Sequence, residues 1–244
     1  MASFNALVSN VVQQSDIVLV VVDARNIEES IHKDIEAKLI GMKKPFLYVI
    51  NKCDLLTKQE QKQITLQNAV QISATKHLGT MRLLRKIMEL AKGLHVTVGI
   101  VGYPNTGKST IINALKGRHS APTSPISGFT RSLSKVRINR KIIIIDTPGV
   151  FDHKPLSPSE NIALVALGTV DPARLKDPEH TVMQLIETMN GRIEKYYGVK
   201  KSNDPLETLE AIALKKHMLL KKGLPDTIRM SKEIITQCQK GTIR

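Results

Sequence analysis

The sequence has 244 residues, of which 41% are hydrophobic and 24% charged. This composition excludes a disordered chain and is sufficient for one large core or two modest ones. No apolar run approaches the roughly 20 residues of a membrane-spanning helix, and two cysteines, Cys53 and Cys238, exclude a disulfide framework. We therefore expect a cytoplasmic protein with no membrane partner.

The charge is strongly basic. Lys and Arg number 36 against 22 acidic residues, which gives a formal net charge of +14, and no acidic residue occurs from 91 to 145. This excess favours a polyanionic partner such as a nucleotide or RNA, although a general lysine-rich bias would give the same total.

Strands and helices alternate over the first 150 residues. Short β-branched runs predict strands at 17–22, 46–50, 70–72, 96–101, 133–138 and 142–145. Helical patterns fall between them at 3–14, 28–41, 78–90 and 109–115. This alternation is typical of an α/β fold with a doubly wound sheet.

The pattern changes after about residue 152. A Pro- and Ser-rich stretch at 153–158 is followed by helical patterns alone, at 159–169, 179–190, 206–220 and 225–239. We therefore predict two domains, an α/β domain at 1–158 and a small all-helical domain at 159–244.

A phosphate-loop motif follows the predicted strand 96–101. Residues 102–109 read G-Y-P-N-T-G-K-S, and its glycines let backbone N–H groups face a β-phosphate at the start of a helix. Lys108 would bridge the β- and γ-phosphates, and the Ser109 hydroxyl would bind Mg²⁺. The residues predicted to contact nucleotide here are Asn105, Thr106, Gly107, Lys108, Ser109 and Thr110.

Two further segments predict contacts to Mg²⁺ and the γ-phosphate. Asp146 in D-T-P-G ends the predicted strand 142–145 and would hold Mg²⁺ through water, while the Gly149 N–H would reach the γ-phosphate. In the polar segment 117–132, Thr130 is the candidate for the threonine that closes on Mg²⁺ and the γ-phosphate, with Thr123 as the alternative. Lys108, Thr130 and Gly149 are thus the candidate catalytic residues.

Two loops predict guanine recognition. Asn51-Lys52-Cys53-Asp54 follows the strand 46–50: Asp54 would accept hydrogen bonds from guanine N1 and N2, the Lys52 stem would lie over the base, and Asn51 would tie this loop to the phosphate loop. Ser73-Ala74-Thr75 ends the next strand, and the Ala74 N–H would point to guanine O6. Adenine would leave the Asp54 carboxylate unpaired, so guanine is favoured.

The motifs resemble those of GTPases, but in an unusual order. N-K-C-D and S-A-T precede the phosphate loop, and D-T-P-G comes last. This order resembles the circularly permuted GTPases of the YlqF/YawG type, as does Asp23-Ala24-Arg25 after the first strand. The tail is similar to the helical C-terminal domain of the YlqF branch, at Leu209 to Ala213, Lys215, Lys222-Gly223, Asp226 and Gly241.

The resemblance implies a switch that hydrolyses GTP to GDP during assembly of the large ribosomal subunit. GTP, GDP, the large subunit or its precursor and rRNA are then the expected partners of a monomer, with Mg²⁺ as cofactor. The alternative is a GTPase or GTP-dependent binding module that acts on another RNA, such as tRNA, with negligible turnover unless stimulated.

The resemblance also bears on catalysis. Asn105 matches the phosphate-loop Asn of potassium-activated relatives and implies a K⁺ site. Val150 follows D-T-P-G where Ras-like enzymes place a water-orienting Gln, so we expect slow intrinsic hydrolysis that ribosomal particles and K⁺ stimulate. The Pro-Gly-His-Met stretch of the YlqF branch is not found in this sequence, which leaves the water-positioning group unassigned.

A basic cluster in the tail is a candidate RNA-binding face. Its lysines are Lys215, Lys216, Lys221 and Lys222, and helical spacing would place Lys215 and Lys222 about two turns apart. Solubilising charge on an exposed helix is the other interpretation. With no Trp, four Tyr and four Phe, shape and phosphate contacts are favoured over base stacking.

Overall fold

A computed structural model of the chain describes residues 4–117, 134–146, 162, 165–168 and 171–243. The chain divides into two compact units, Met1–Lys154 and Pro155–Arg244. The residues around this division lie outside the described ranges, so the predicted boundary at 158 stays a prediction. Within the described ranges, no helix is long and apolar enough to cross a membrane.

The first unit is a six-stranded sheet with helices on both faces. Its strands are β1 (Ile17–Asp23), β2 (Phe46–Asn51), β3 (Ala69–Gln71), β4 (Val96–Val101), β5 (Ser134–Arg137) and β6 (Ile142–Asp146). Its helices are α1 (Phe4–Gln14), α2 (Ile27–Ser30), α3 (Lys33–Gly41), α4 (Lys58–Gln63), α5 (Thr80–Leu90) and α6 (Lys108–Lys116). The strand order is β3-β2-β1-β4-β6-β5, and β5 alone among these runs antiparallel to its neighbour.

The core lies on both sides of the sheet because the central strand β1 is apolar from Ile17 to Val22 and buried throughout. Ile17, Leu19 and Val21 of β1 pack in a cluster with α5 and α6, while Val18 and Val20 face a second cluster with α1 and α3. Successive side chains of a strand point to opposite faces. A buried run such as 17–22 therefore supports a helical layer on each face.

One local prediction for this unit was wrong, and one helix was not predicted. The predicted helix 28–41 is two helices, α2 and α3, because Ile31 is extended (φ −82°, ψ 120°) between them. Helix α4 was not predicted, since its sequence KQEQKQ has no apolar periodicity. It forms on a capping box, in which Thr57 and Glu60 satisfy each other's backbone N–H groups.

The second unit is helical in its described part. Its helices are α7 (Pro178–Thr188), α8 (Arg192–Tyr197), α9 (Pro205–Lys215) and α10 (Thr227–Lys240). The side chains of Asp177, Asp204 and Asp226 accept N-terminal backbone N–H groups of α7, α9 and α10. Their apolar faces form one core cluster, which includes Val182, Leu209 and Ile234.

The predicted helix 206–220 is too long. Helix α9 ends at Lys215, His217 is left-handed (φ 55°), and an antiparallel bridge joins Leu219 to Pro225. The Met218 carbonyl oxygen accepts the Asp226 N–H at 2.9 Å. The chain therefore makes a turn between α9 and α10 where the sequence suggested continuous helix.

Candidate functional site

The loops with nucleotide-binding motifs lie at one edge of the sheet. Strands β1, β2, β3, β4 and β6 are parallel, so their carboxyl ends share that edge. The order of connection reverses between β1 and β4, and doubly wound sheets bind ligands at such a switch point. The phosphate loop follows β4, Asn51–Asp54 follows β2, and Asp146 ends β6.

The phosphate loop is compact, and two glycines are required in it. Gly102 (φ 148°) and Gly107 (φ 95°) adopt left-handed backbone angles. A Cβ on Gly102 would lie 2.5 Å from the Val21 carbonyl oxygen, and one on Gly107 would lie 2.2 Å from Asn51 Nδ2. The loop thus passes directly against its neighbours, and α6 begins at its end, as the motif predicts.

Lys108 is held inside this loop. Its ammonium group donates to the carbonyl oxygens of Gly102 and Tyr103, at 2.9 and 2.8 Å. Burial lowers the pKa of Lys108 to about 8, against the opposing charge of Asp146. The loop thus holds a partly desolvated ammonium group where the β- and γ-phosphates were predicted. A bound phosphate would favour the charged form of this lysine.

Asp146 fits an Mg²⁺ site. Its Oδ1 atom is buried and has no hydrogen-bond partner among the described residues. Burial also raises the pKa of the Asp146 carboxyl group, partly offset by Lys108. A buried oxygen without a donor is costly, and a hydrated cation would satisfy it. Ser109, exposed in the first turn of α6, would bind the same ion, which neutralises charge on phosphate oxygens.

Asn51 joins three of the loops. Its Nδ2 donates to the Thr106 carbonyl oxygen at 2.8 Å, and its Oδ1 accepts the Ala74 N–H at 3.1 Å. The predicted link between the Asn51 loop and the phosphate loop is therefore present. The side chain is 3% exposed, so these bonds are shielded from water and fix the three loops relative to one another.

The Ala74 N–H has an acceptor within the protein. It was predicted to point to guanine O6, and it donates to Asn51 Oδ1. A contact to O6 would require this N–H to be shared between the two acceptors. The neighbouring Ser73 and Thr75 shape the turn: their hydroxyl oxygens are 3.4 Å apart, and Ser73 Oγ accepts the Lys76 N–H at 3.3 Å.

Asp54 carries an unsatisfied acceptor that suits guanine. Its Oδ1 atom is buried without a hydrogen-bond partner among the described residues, while Oδ2 lies 3.6 Å from Lys76 Nζ. Guanine N1–H and N2–H are adjacent donors that match a carboxylate, and adenine has no such pair. The arrangement therefore fits the predicted base specificity.

A buried ion-pair network beside this loop was missed in the sequence. Asp23, fully buried at the end of β1, accepts Arg25 Nε and Nη2 at 2.9 and 2.8 Å, and Lys52 Nζ lies 2.8 Å from its Oδ2. Burial alone would raise the pKa of the Asp23 carboxyl, but hydrogen bonds from Arg25 and the charge of Lys52 bring it below its ordinary value.

This network fixes the position of Lys52. The lysine has a left-handed backbone (φ 66°), and its ammonium group is anchored on Asp23, so the course of its stem is fixed; its contact with the base stays a prediction. The signal in the sequence was an acidic residue directly after the buried run 17–22, with Arg two residues later. This tripeptide resembles that of the YlqF/YawG type, but the sequence alone assigns it no role.

Several predicted contacts fall outside the described residues. These are Thr130, its alternative Thr123, Gly149 and Val150. Their predicted roles at Mg²⁺, the γ-phosphate and the attacking water therefore stay predictions. Asn105 is described and exposed at the phosphate loop, with a left-handed backbone (φ 58°), and Thr110 is half-buried in the first turn of α6.

The tail lysines do not share a helix. Lys215 ends α9 and its Nζ donates to the Gly198 carbonyl oxygen at 2.6 Å, while Lys216 Nζ lies 5.8 Å from the centroid of the Tyr197 ring. Lys221 and Lys222 lie in the turn before α10, and Lys222 is left-handed (φ 78°). The expected spacing of two helical turns was therefore wrong, although all four lysines are exposed.

The order of these loops along the chain resembles that of circularly permuted GTPases. Residues 97–205 match the family model described as 50S ribosome-binding GTPase. The GNP-bound structure of YlqF from T. maritima is similar to this chain, with a TM-score of 0.70 and 22% sequence identity, covering 98% of this chain and 94% of that one. The chain therefore has the YlqF-type fold.

Curated relatives are GTP-binding proteins. An uncharacterized GTP-binding protein of Methanocaldococcus jannaschii is 33% identical over 97% of this chain and 65% of its own length. Nucleolar GTP-binding protein 2 of Kluyveromyces lactis is 30% identical over 96% of this chain, and that of Saccharomyces cerevisiae is equally similar. The chain spans about half the length of these nucleolar relatives, 48% and 50%.

Proposed function

We propose that the protein hydrolyses GTP to GDP as a switch in assembly of the large ribosomal subunit. The observation that carries the nucleotide chemistry is the convergence of two unsatisfied carboxylate oxygens, on Asp54 and Asp146, with the caged Lys108 at one edge of the sheet. The Asp54 carboxylate matches the donors of guanine, the Asp146 carboxylate matches Mg²⁺, and the Lys108 ammonium group matches phosphate.

Different residues of the site would have different roles in GTP hydrolysis. Lys108 would stabilise negative charge on the β- and γ-phosphates, and Thr130 and the Gly149 N–H would close on the γ-phosphate. Asn105 would hold a K⁺ ion that adds further positive charge. Because Val150 cannot orient water, we expect a slow basal rate that ribosomal particles stimulate.

The ribosomal target is supported by the comparisons and by charge. The matched family model is described as ribosome-binding, and several relatives carry nucleolar names. A net charge of +14 suits rRNA, whose phosphates dominate such binding. We propose that the protein is a monomer. The sequence predicts a cytoplasmic location, whereas several relatives carry nucleolar names.

Co-sedimentation with purified large ribosomal subunits tests the switch. Binding with a non-hydrolysable GTP analogue and release with GDP is the expected result at physiological salt. Equal, salt-sensitive binding in both nucleotide states would overturn it, because charge alone would then explain the association.

Multiple-turnover assays separate the switch from a binding module with negligible turnover. We expect slow hydrolysis that rises with large subunits and is faster in K⁺ than in Na⁺. Equal rates in the two salts would contradict the K⁺ site at Asn105, and no turnover under any condition would favour the binding module. Asp54→Ala should abolish the preference for GTP over ATP in competition assays, and retained preference would contradict the role of Asp54.

A further inference from the structure

The edge of the sheet opposite the nucleotide loops is strongly basic. The segments that lead into the parallel strands meet there, since the amino ends of parallel strands share one edge. In the segments 15–16, 42–45, 64–68, 91–95 and 138–141, the charged residues are Asp16, Lys43, Lys44, Lys92, Arg140 and Lys141. We call this set of segments the amino edge.

The cations of the amino edge are not neutralised by the fold. None of its five Lys and Arg residues forms an ion pair within the described ranges, where the pairs involve other side chains. The carboxylate of Asp16 accepts the Thr97 N–H at 2.7 Å. The net charge of this edge therefore faces solvent.

Hydrogen bonds hold the basic segments side by side. Lys44 Nζ donates to the Ser15 carbonyl oxygen at 2.6 Å, and Lys141 Nζ donates to the Gly93 carbonyl oxygen at 3.0 Å. Each ammonium group keeps further N–H donors, because it has three. The segments before β2, β1, β4 and β6 lie side by side in the sheet order. The basic surface therefore spans three strand spacings, a width of about 14 Å.

Two of these lysines occupy positions that the backbone disfavours. Helices α3 and α5 both end in a Schellman motif: the Lys44 N–H reaches the Leu39 carbonyl oxygen, and the Gly93 N–H reaches that of Met88. The left-handed residue of each motif is a lysine, Lys43 or Lys92, at φ 49°. Glycine is the usual residue there.

Stability does not account for these two lysines. A lysine near a helix C-terminus gains from the helix dipole, but a non-glycine residue in the left-handed region costs more than that gain. Two cations therefore stand where the backbone would favour glycine, and both add to the exposed positive charge of the amino edge.

We propose that the amino edge binds the phosphate backbone of RNA. This deepens the proposed function, on which the choice of RNA as occupant rests. The described segments of this edge contain no Phe, Tyr or Trp and a single His, His95, so contacts to phosphates and helical shape fit better than base readout. Because the nucleotide loops are at the other edge, RNA and GTP would bind together.

The Lys43→Gly, Lys92→Gly double variant tests this surface. Glycine relieves the backbone, so we expect an equal or higher melting temperature and unchanged affinity for fluorescent GDP. Binding to a fluorescein-labelled 20-base-pair RNA duplex should weaken about tenfold, and the slope of log K against log[KCl] should fall by about one unit per lysine removed. Anisotropy titrations at several KCl concentrations measure both.

A Lys58→Gln, Lys62→Gln variant is the matched control. It removes two exposed charges from α4 and should change the salt slope less. An unchanged slope in the glycine variant, or an equal loss in the control, would overturn the proposal. So would wild-type binding to phosphatidylserine vesicles without binding to the duplex.

Co-sedimentation of the same variants separates this inference from the function. If the glycine variant binds the duplex normally while wild type binds large subunits only with the GTP analogue, the RNA surface is wrong and the switch stands. If the variant loses duplex binding but nucleotide does not affect association with subunits, the surface stands and the switch fails.

Discussion

At the scale of single residues, the buried carboxylates of the site fall into two kinds. Asp23 is saturated by protein donors, from Arg25 and Lys52, and has no capacity left for a ligand. Asp54 and Asp146 each keep one buried oxygen without a partner among the described residues. Saturated acceptors position other groups, whereas unsatisfied ones mark where a ligand supplies the missing donor.

Asp23 should act on nucleotide binding through Lys52. We expect Asp23→Asn to weaken binding of fluorescent GDP, because Lys52 loses its anchor. In a double-mutant cycle with Lys52→Met, the two losses should fall short of additive by at least about 1 kcal/mol, roughly fivefold in Kd. Strictly additive losses would mean that Asp23 acts through the fold alone.

Lys108 should couple nucleotide binding to proton uptake. Burial lowers its pKa to about 8, so at pH 8 about half of the molecules lack this proton, and phosphate binding restores it. Calorimetry of GDP binding at pH 8 in two buffers of different ionisation enthalpy should then show uptake of about half a proton. Enthalpies that do not depend on the buffer would contradict this assignment.

Local motifs were enough to predict some residues of the site but not others. Gly107, Lys108 and Asn51 belong to short motifs, and their roles can be predicted from the neighbouring residues in the sequence alone. The partner of Lys52 was not predictable in this way, because Asp23 lies 29 positions earlier in the chain and meets it only when β1 pairs with β2. The bond from the Ala74 N–H to Asn51 was not predictable either, because Asn51 comes from another strand, and the contact of this N–H to guanine O6 stays a prediction.

At the scale of elements, buried strands were predicted well and polar segments poorly. The runs that form β1 and β4 are mostly β-branched and buried, so their strands begin at the predicted residues. Helix α4 depends on side-chain capping and has no apolar face. The stretch after α9 has helical composition, but left-handed His217 and the bridge from Leu219 to Pro225 end the helix.

Gly99 in the middle of β4 should prove essential for the packing of α1. A Cβ there would lie 2.4 Å from Ser15 Oγ and 2.8 Å from Val11 Cγ1. We expect Gly99→Ala to lower the free energy of unfolding by about 1–3 kcal/mol, measured by urea denaturation. The cost should be smaller in a Ser15→Ala background, which removes the nearer atom.

Gly41 provides the control for this substitution. A Cβ at Gly41 meets nothing within 4 Å at the end of α3, so Gly41→Ala should be neutral or stabilising. Equal destabilisation by the two substitutions would show that the close approach of α1 to β4 is not the cause.

At the scale of the whole molecule, the two units have separate cores. We therefore expect two unfolding transitions in calorimetry, of which GDP with Mg²⁺ raises only the one that belongs to the first unit. At a hundredfold excess over Kd, the shift should be about 5–10 °C. A single transition, or two that both shift, would show that the units unfold together.

The order of the strands also sets the order in which the site is made. During synthesis the base-binding half, β1 to β3 with Asn51 and Asp54, leaves the ribosome before the phosphate loop, and Asp146 follows Asp54 by about 5–20 s. Until β4 arrives, the edge of β1 that it will pair with is open, and open edges invite pairing with other chains. Pairing of Val96–Val101 with β1 closes that edge, and the phosphate loop, which directly follows this strand, joins the base-binding half in the same step.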